Sequence, residues 1–201
     1  MALEKGIAEL VREFIDAGRP SSREQNIDDR RNGYVASAVL AGEQENRVWV
    51  EDIELEGMFF RVVSPLNATG ALPAVIYFHG GCFISGGFAT HDHQLRQLAY
   101  HSGCRVIAVQ YRLAPEHTFP AAHDDAEKGA LIIHRHAGQL GIDASRITLA
   151  GDSAGGHLAL VTALRLKTTQ AWQPAQLVLI YPMLDATASM KSYIDNGCLL
   201  Y

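Results

Sequence analysis

The sequence ITLAGDSAGGHLALVTALRLK, residues 147–167, decides the fold of this chain. An apolar run at 147–150 leads into the pentapeptide Gly-Asp-Ser-Ala-Gly at 151–155, and a helix-like segment follows. This order predicts a strand that turns abruptly into a helix, because the small flanking residues let the two backbones approach each other. Such a turn holds Ser153 at a strained apex and makes it a candidate nucleophile. Asp152 is expected to support the turn through hydrogen bonds.

Strands and helices alternate on both sides of this turn. Apolar residues recur with a period of two between Arg47 and Val62, which predicts an antiparallel hairpin that turns around Gly57. The predicted strands that follow are 74–78, 106–110, 147–150 and 177–181, and the predicted helices are 92–101, 121–136 and 154–167. Continuous apolar strands separated by helices predict the α/β class, with a mainly parallel sheet that has helices on both faces.

The N-terminal residues have a helical pattern. An amphipathic helix opens the chain, and Asn26 is the expected N-cap of a second helix over 27–40 that ends near Gly42. We therefore expect a helical cap segment at 1–45 and an α/β core at 46–201.

The composition is that of a globular chain with one sizeable core, since 48% of the residues are hydrophobic and 19% are charged. The net charge of −5 is spread along the chain without a basic cluster, so we expect no nucleic-acid partner. No apolar run approaches the roughly 18 residues that cross a membrane, so we expect no membrane span.

The cysteines and histidines do not have the spacing of metal ligands. The cysteines are Cys82, Cys104 and Cys198. The pairs His91 and His93, and His134 and His136, lie two residues apart and face different sides of a helix, so neither a metal nor a cofactor is expected. The odd number of cysteines and a charged N-terminus unlike a signal peptide favour the cytoplasm.

A second candidate motif, His79-Gly80-Gly81-Cys82, follows the predicted strand 74–78. Two adjacent glycines allow backbone N–H groups to converge on one point, which suits an oxyanion hole. The N–H of Ala154, directly after the candidate nucleophile, would supply a third donor. The glycine motif at 79–82 and the serine turn at 151–155 each follow a predicted strand, and the glycine motif comes first in the chain. Together they indicate acyl transfer.

The chain resembles the hormone-sensitive lipase family of α/β-hydrolases, especially its bacterial acetyl esterase and carboxylesterase members. The residues that carry the resemblance are His79-Gly80-Gly81, the YRLAPEH sequence at 111–117, FPAA at 119–122 with Asp124-Asp125, and GDSAGG at 151–156. The resemblance covers residues 47–184. It implies Ser153 as the nucleophile, Gly80, Gly81 and Ala154 as oxyanion donors, His79 as a strut for their loop, and a small acyl ester as the substrate.

The oxyanion loop departs from the family's pattern, which has a third glycine where this chain has Cys82. If that position needs a positive φ, the side chain costs about 1–2 kcal/mol. Phe83 and Phe88 follow the loop and are candidates to line an acyl pocket. Arg112 is expected to pair with Glu116 or with an aspartate and to have a structural role.

The second departure concerns the base, because the resemblance places the family's acid and histidine beyond Tyr201. The chain is then C-terminally truncated, and its turnover is expected to be impaired. His157 lies one helical turn after Ser153, but the turn points the serine away from its own helix, so His157 is interpreted as structural. The alternatives are a non-catalytic small-molecule-binding module and an inactive product whose exposed strand 177–181 favours aggregation or a homodimer.

Overall fold

The computed structural model describes residues 4–18, 24–169, 171–187 and 189–196. Cys198 lies outside these residues. The chain divides into two compact units, Arg31–Ala186 and the pair of segments Met1–Arg30 and Thr187–Tyr201.

The larger unit contains a six-stranded sheet with the order β1-β2-β4-β3-β5-β6. The strands are β1 (Val48–Leu55), β2 (Met58–Pro65), β3 (Leu72–Phe78), β4 (Arg105–Val109), β5 (Ile142–Asp152) and β6 (Gln176–Ile180). β2 is antiparallel to β1 and to β4, and the remaining neighbours are parallel. The predicted mainly parallel sheet with an antiparallel opening is confirmed.

Helices of the larger unit cover both faces of this sheet. In chain order the helices are α1 (Lys5–Asp16), α2 (Ile27–Ser37), α3 (Phe88–Ser102), α4 (Ala121–Arg135), α5 (Ala154–Thr169) and α6 (Lys191–Asn196). Val75 and Tyr77 of β3 share a core cluster with Leu95 of α3, whereas Ile76 shares the other cluster with Leu158 of α5. Because successive side chains of a strand point to opposite faces, a strand that is apolar throughout needs both layers.

The turn between β1 and β2 has two residues, since Leu55 pairs directly with Met58. Glu56 and Gly57 have φ values of 50° and 75°. Two consecutive positive φ values are the geometry of the turn that matches the right-handed twist of a hairpin. The hairpin predicted around Gly57 is therefore present.

Helix α2 begins as the sequence predicts, because the Asn26 side chain accepts a hydrogen bond from the Asp29 N–H at 2.8 Å. It ends earlier than expected, at Ser37, and a 3-10 helix, Ala38–Ala41, continues it. Gly42 follows with a φ of 85°. Within the ranges described, none of the helices combines the length and the apolar character needed to cross a membrane.

The centre of the sheet makes a testable prediction about stability. Ile76 is 0% exposed, so replacing it with alanine should leave a cavity and lower the free energy of unfolding by about 2–5 kcal/mol. Leu66→Ala is the control, because this side chain is 57% exposed and should cost less than about 1 kcal/mol. Urea unfolding measures both variants, and equal losses would contradict the assignment of Ile76 to the core.

Candidate active site

Ser153 occupies the turn between β5 and α5 with a φ of 53°. The flanking glycines are required by close backbone contacts. A Cβ atom on Gly155 would lie 1.9 Å from the carbonyl oxygen of Phe78, and one on Gly151 would lie 2.4 Å from the backbone of Gly155. The strained strand-to-helix turn predicted from the sequence is the observed geometry.

The backbone of Ser153 is bonded to the segment that ends β6, while its side chain is free. Its N–H donates to the carbonyl of Ile180 at 2.9 Å, and its carbonyl accepts from the N–H groups of His157 at 3.1 Å and Met183 at 3.2 Å. Ser153 is half-buried. Across the described ranges its hydroxyl has no hydrogen-bond partner, so it is available for reaction.

The loop after β3 closes on itself at Gly81, whose carbonyl accepts hydrogen bonds from the N–H groups of Ile84 at 3.1 Å and Ser85 at 3.0 Å. Gly81 has a φ of 124°, and Cys82 and Phe83 follow with 55° and 63°. A side chain in this region costs about 1–2 kcal/mol at each position. Cys82 therefore stands at a position of positive φ, which is the condition under which replacing the family's third glycine carries this cost.

The N–H of Gly80 is not available to a substrate, because it donates to Oδ1 of Asp152 at 3.0 Å. A Cβ atom on Gly80 would lie 2.2 Å from the same carboxylate. This contact corrects the expectation that Gly80 supplies an oxyanion donor. In the described part of the chain, the N–H groups of Gly81, Cys82 and Ala154 donate to no acceptor, which moves the candidate oxyanion donors one residue along the loop.

Asp152 is 5% exposed and accepts hydrogen bonds from three elements. The donors are the Tyr77 hydroxyl at 2.9 Å, the Gly80 N–H and, at 3.2 Å, Nε2 of His91. Burial alone would raise the pKa of Asp152, but the hydrogen bond and charge of His91, with the bonds from Tyr77 and Gly80, lower it. The hydrogen bonds expected of Asp152 are present, and they tie β3, α3 and the oxyanion loop to the turn.

His79 is 2% exposed and lies between the loop and Tyr111. Its Nδ1 lies 2.8 Å from the carbonyl oxygen of Gly80, which can only accept, so Nδ1 carries the proton. The ring stacks on Tyr111 at 4.2 Å, and the Tyr111 hydroxyl donates to the His79 carbonyl at 2.6 Å. Burial lowers the pKa of His79 to about 4, so the ring is a neutral support for the loop.

Arg31 of α2 also holds this loop. Its guanidinium donates to the carbonyl of Ile84 at 2.8 Å and to that of Ala114 at 3.0 Å. It also forms two hydrogen bonds of 2.7 Å with the Glu116 carboxylate. These bonds lower the pKa of Glu116 to about 2.

Sequence reasoning missed Arg31, because no local pattern connects it with residues more than 50 positions away. For Arg112 the sequence left two kinds of partner open, Glu116 or an aspartate. In the structure Arg112 forms a bidentate pair with Asp125, in which both N–O distances are 2.8 Å. Glu116 pairs instead with Arg31.

The neighbouring histidines have other partners than Ser153. His157 has its Nδ1 2.9 Å from the Met183 carbonyl oxygen and its Nε2 3.0 Å from Nε2 of His123. This agrees with a structural interpretation of His157. Among the described residues, no group of three or more His, Cys, Asp or Glu side chains is arranged to hold a metal ion.

A cavity of about 440 Å³ lies beside the oxyanion loop. Phe83 lines it, and its role in an acyl pocket stays a prediction. Phe88 does not line it, because its ring packs in the α3 cluster, 5.0 Å from the guanidinium carbon of Arg61.

Comparison with known proteins gives consistent matches. A family model described as the alpha/beta hydrolase fold matches residues 75–199. The chain is 34% identical to ethyl acetate hydrolase from Pseudomonas putida over an alignment of 211 positions, which covers 98% of this chain and 66% of that protein. It is 39% identical to carboxylesterase NlhH from Mycobacterium tuberculosis over 137 residues, which are 68% of this chain and 43% of that protein.

Two solved structures are similar throughout the chain. The hyperthermophilic esterase from the archaeon Pyrobaculum calidifontis superposes with a TM-score of 0.87 at 35% identity, covering 100% of this chain and 65% of that one. A thermostable esterase from Pseudomonas putida gives a TM-score of 0.89 at 28% identity, covering 96% and 62%. The chain spans about two thirds or less of the length of the relatives that it matches.

The buried His79 predicts a pH dependence of stability. Its pKa falls from 6.5 to about 4 on folding, so between these pH values the unfolded chain binds a proton that the folded chain does not. Stability is therefore lost as the pH falls through this window, by roughly 3 kcal/mol in all. Urea unfolding should show this loss in the wild type and in His93→Gln but a shallower slope in His79→Gln. Parallel slopes for all three would contradict a buried neutral His79.

The hydrogen bonds of Arg31 predict that it controls the order of the loop. Arg31→Gln should speed amide hydrogen exchange at Ile84 and Ser85 about tenfold, because each lost bond to a charged group costs about 1.5–3 kcal/mol. Arg135→Gln is a matched control, since Arg135 forms a similar pair with Glu56. Unchanged exchange in Arg31→Gln would show that the loop holds its shape without this residue.

Proposed function

Since this chain belongs to the α/β-hydrolase family whose model matches residues 75–199, we propose that it supplies the nucleophile and the oxyanion hole of a serine carboxylic-ester hydrolase. The names of the relatives, all esterases, agree with the resemblance to the hormone-sensitive lipase family. One relative is named for ethyl acetate, a short acyl ester, which supports short-chain acyl esters as the substrate class. The observation that carries the proposal is that, among the described residues, the hydroxyl of Ser153 and the backbone N–H groups of Gly81, Cys82 and Ala154 have no hydrogen-bond partner.

The proposed reaction begins when Oγ of Ser153 attacks the ester carbonyl carbon while a base removes the hydroxyl proton. The carbonyl oxygen becomes negatively charged, and the N–H groups of Gly81, Cys82 and Ala154 donate to it. Each such donor lowers the barrier by about 3–4 kcal/mol. Collapse of the intermediate transfers the proton to the departing alcohol and leaves an acyl ester on Ser153, which water then hydrolyses.

We propose that none of the described histidines is the general base, so that turnover by these residues alone is impaired. His157 and His123 are hydrogen bonded to each other. His91 donates to Asp152, and His79 donates to Gly80. With a triad member removed, serine hydrolases keep a residual catalysis of roughly 10³–10⁴ over water.

A non-catalytic binding module is the second candidate. Two observations favour it: the Ser153 hydroxyl lacks a hydrogen-bonded base within the described ranges, and a cavity of about 440 Å³ lies beside the loop. A binding module would hold an ester or acid reversibly without acylation of Ser153.

Three further assignments are proposals. The division into a cap at 1–45 and an α/β core at 46–201 follows the change in sequence pattern at Arg47. A cytoplasmic location is consistent with free thiols at Cys82 and Cys104. A homodimer through β6 is supported by the exposure of Leu177 and Val178, which are 39% and 45% exposed.

Rescue by an added base tests the proposed reaction. With p-nitrophenyl acetate, the 201-residue chain should acylate slowly, and added imidazole should accelerate p-nitrophenol release because it replaces the missing base. Ser153→Ala in the same imidazole measures the uncatalysed reaction and should abolish the protein-dependent part. Ser145→Ala, which removes an exposed hydroxyl bonded to Asp143, should leave it unchanged.

Mass spectrometry should locate the acetyl group on Ser153. Reversible binding of p-nitrophenyl acetate with no acetylated serine would favour the binding module. Sustained turnover without imidazole would show that a base within the chain has been overlooked.

A further inference from the structure

The carboxylate of Asp152 is held unequally at its two oxygens. The Tyr77 hydroxyl at 2.9 Å and the Gly80 N–H at 3.0 Å both donate to Oδ1. Oδ2 lies beside Gly80, where a Cβ atom would be 2.2 Å away. Among the described residues, the donor that reaches Oδ2 is Nε2 of His91, which lies 3.5 Å from Oδ2 and 3.2 Å from Oδ1. His91 is therefore the residue that contacts both oxygens.

Contact with both oxygens matters because the last torsion of an aspartate is soft. Rotation of the carboxylate about the Cβ–Cγ bond has only broad, roughly two-fold minima. Donors to one oxygen leave this rotation open, whereas a donor placed between the two oxygens opposes it. We therefore expect the orientation of the Asp152 carboxylate to depend on His91 more than on Tyr77.

The ring of His91 is itself fixed at the start of α3. It is 3% exposed, and its Nδ1 lies 2.8 Å from Oγ1 of Thr90. The same oxygen accepts from the N–H of Gly87 at 3.0 Å and lies 2.9 Å from the Gly87 carbonyl, at the N-cap of the helix. The Tyr34 ring of α2 meets the His91 ring edge-on at 6.0 Å. Hydrogen bonds and packing of this kind restrict a side chain to one rotamer.

The hydrogen-bond partners decide which nitrogen of His91 faces Asp152 with a proton. The ionised carboxylate can only accept, so Nε2 carries a proton. The Thr90 hydroxyl can give its one proton to the Gly87 carbonyl or to Nδ1 of His91. Either choice leaves Nε2 as a donor, so His91 donates to Asp152 in both arrangements.

The hydrogen bond from the Gly80 N–H links this carboxylate to the oxyanion loop. The next two N–H groups, of Gly81 and Cys82, are the candidate donors to the substrate. An oxyanion donor acts within about 2.7–3.1 Å of the developing charge, and a displacement of about 1 Å can lower a rate about a hundredfold. Rotation of the Asp152 carboxylate would release the Gly80 N–H and displace both donors.

We propose that His91 is a positioning residue of the oxyanion hole. By contacting both oxygens of Asp152, it holds the carboxylate in the orientation that accepts the Gly80 N–H. That bond in turn orients the N–H groups of Gly81 and Cys82. His91 acts through Asp152 and not on the ester. Its part in the reaction rests on the proposed function, whereas its hold on the loop does not.

Two amide substitutions separate the two nitrogens of the ring. In His91→Gln an amide N–H can replace Nε2 beside Asp152, whereas the shorter side chain of His91→Asn can replace only Nδ1 beside Thr90. In the imidazole-supported assay with p-nitrophenyl acetate, His91→Asn should lower the saturating acylation rate at least about tenfold, and His91→Gln should stay within about threefold of the wild type. The ester concentration at half-maximal rate should change less than about twofold, because the lost interaction acts in the transition state.

His101→Asn is the matched control and should react as the wild type does, because His101 is an exposed histidine of the same helix that contacts Gln97. Amide hydrogen exchange gives a readout that does not need the reaction. His91→Asn should speed exchange at Gly80 about tenfold and leave the amide of Leu95, a buried residue of α3, unchanged. His91→Gln should leave both amides unchanged.

Equal losses of rate in the two His91 variants, or exchange that rises equally at Gly80 and Leu95, would show a merely structural role and overturn the proposal. If His91→Asn does not fold, the wild type decides through nitrogen NMR of the His91 ring: a proton on Nε2 supports the proposal, and a bare Nε2 overturns it. No acylation in the wild type, with the expected exchange at Gly80, would refute the proposed function and keep the hold of His91 on the loop. Faster exchange at Gly80 with an unchanged acylation rate would refute the part of His91 in the reaction.

Discussion

The buried carboxylate of Asp152 is the constraint on which the site depends. A charge removed from water must be surrounded by donors, and among the described residues the donors to this carboxylate belong to β3, α3 and the loop after β3. The hydrogen bond from the Gly80 N–H to this carboxylate therefore fixes the position of the loop. The Gly80 N–H turns inward to the carboxylate, and the next two N–H groups of the loop are left facing elsewhere. The geometry of the candidate oxyanion hole is therefore a consequence of satisfying Asp152.

The features predicted from the sequence are those encoded in short stretches of chain. The turn at Ser153 follows from apolar residues, small residues and a helical pattern in immediate succession, and each glycine there is required by a contact within the same supersecondary unit. The Asn26 cap and the hairpin at Gly57 are equally local. The mainly parallel sheet could be predicted because strands that are apolar on both sides need helices on both faces.

The features that sequence reasoning did not reach depend on partners distant in the chain. Arg31 binds Ile84, Ala114 and Glu116, and no spacing rule relates these positions. The partner of the Gly80 N–H was missed for the same reason, since Asp152 lies 72 residues away. The start of β5 was placed too late because the polar residues after Ile142 conceal a strand that runs from Ile142 to Asp152.

The attachment of Ser153 to the end of β6 has a mechanical consequence. The Ser153 N–H donates to the carbonyl of Ile180 and its carbonyl accepts from the N–H of Met183, so the turn and the end of β6 are joined by backbone hydrogen bonds. β6 is bonded along one side to β5, and its apolar side chains remain partly exposed. Any strand that adds to the free side would stiffen the support beneath Ser153. Under the proposed homodimer, assembly at the sheet edge would therefore act on the strand whose end is bonded to the backbone of Ser153.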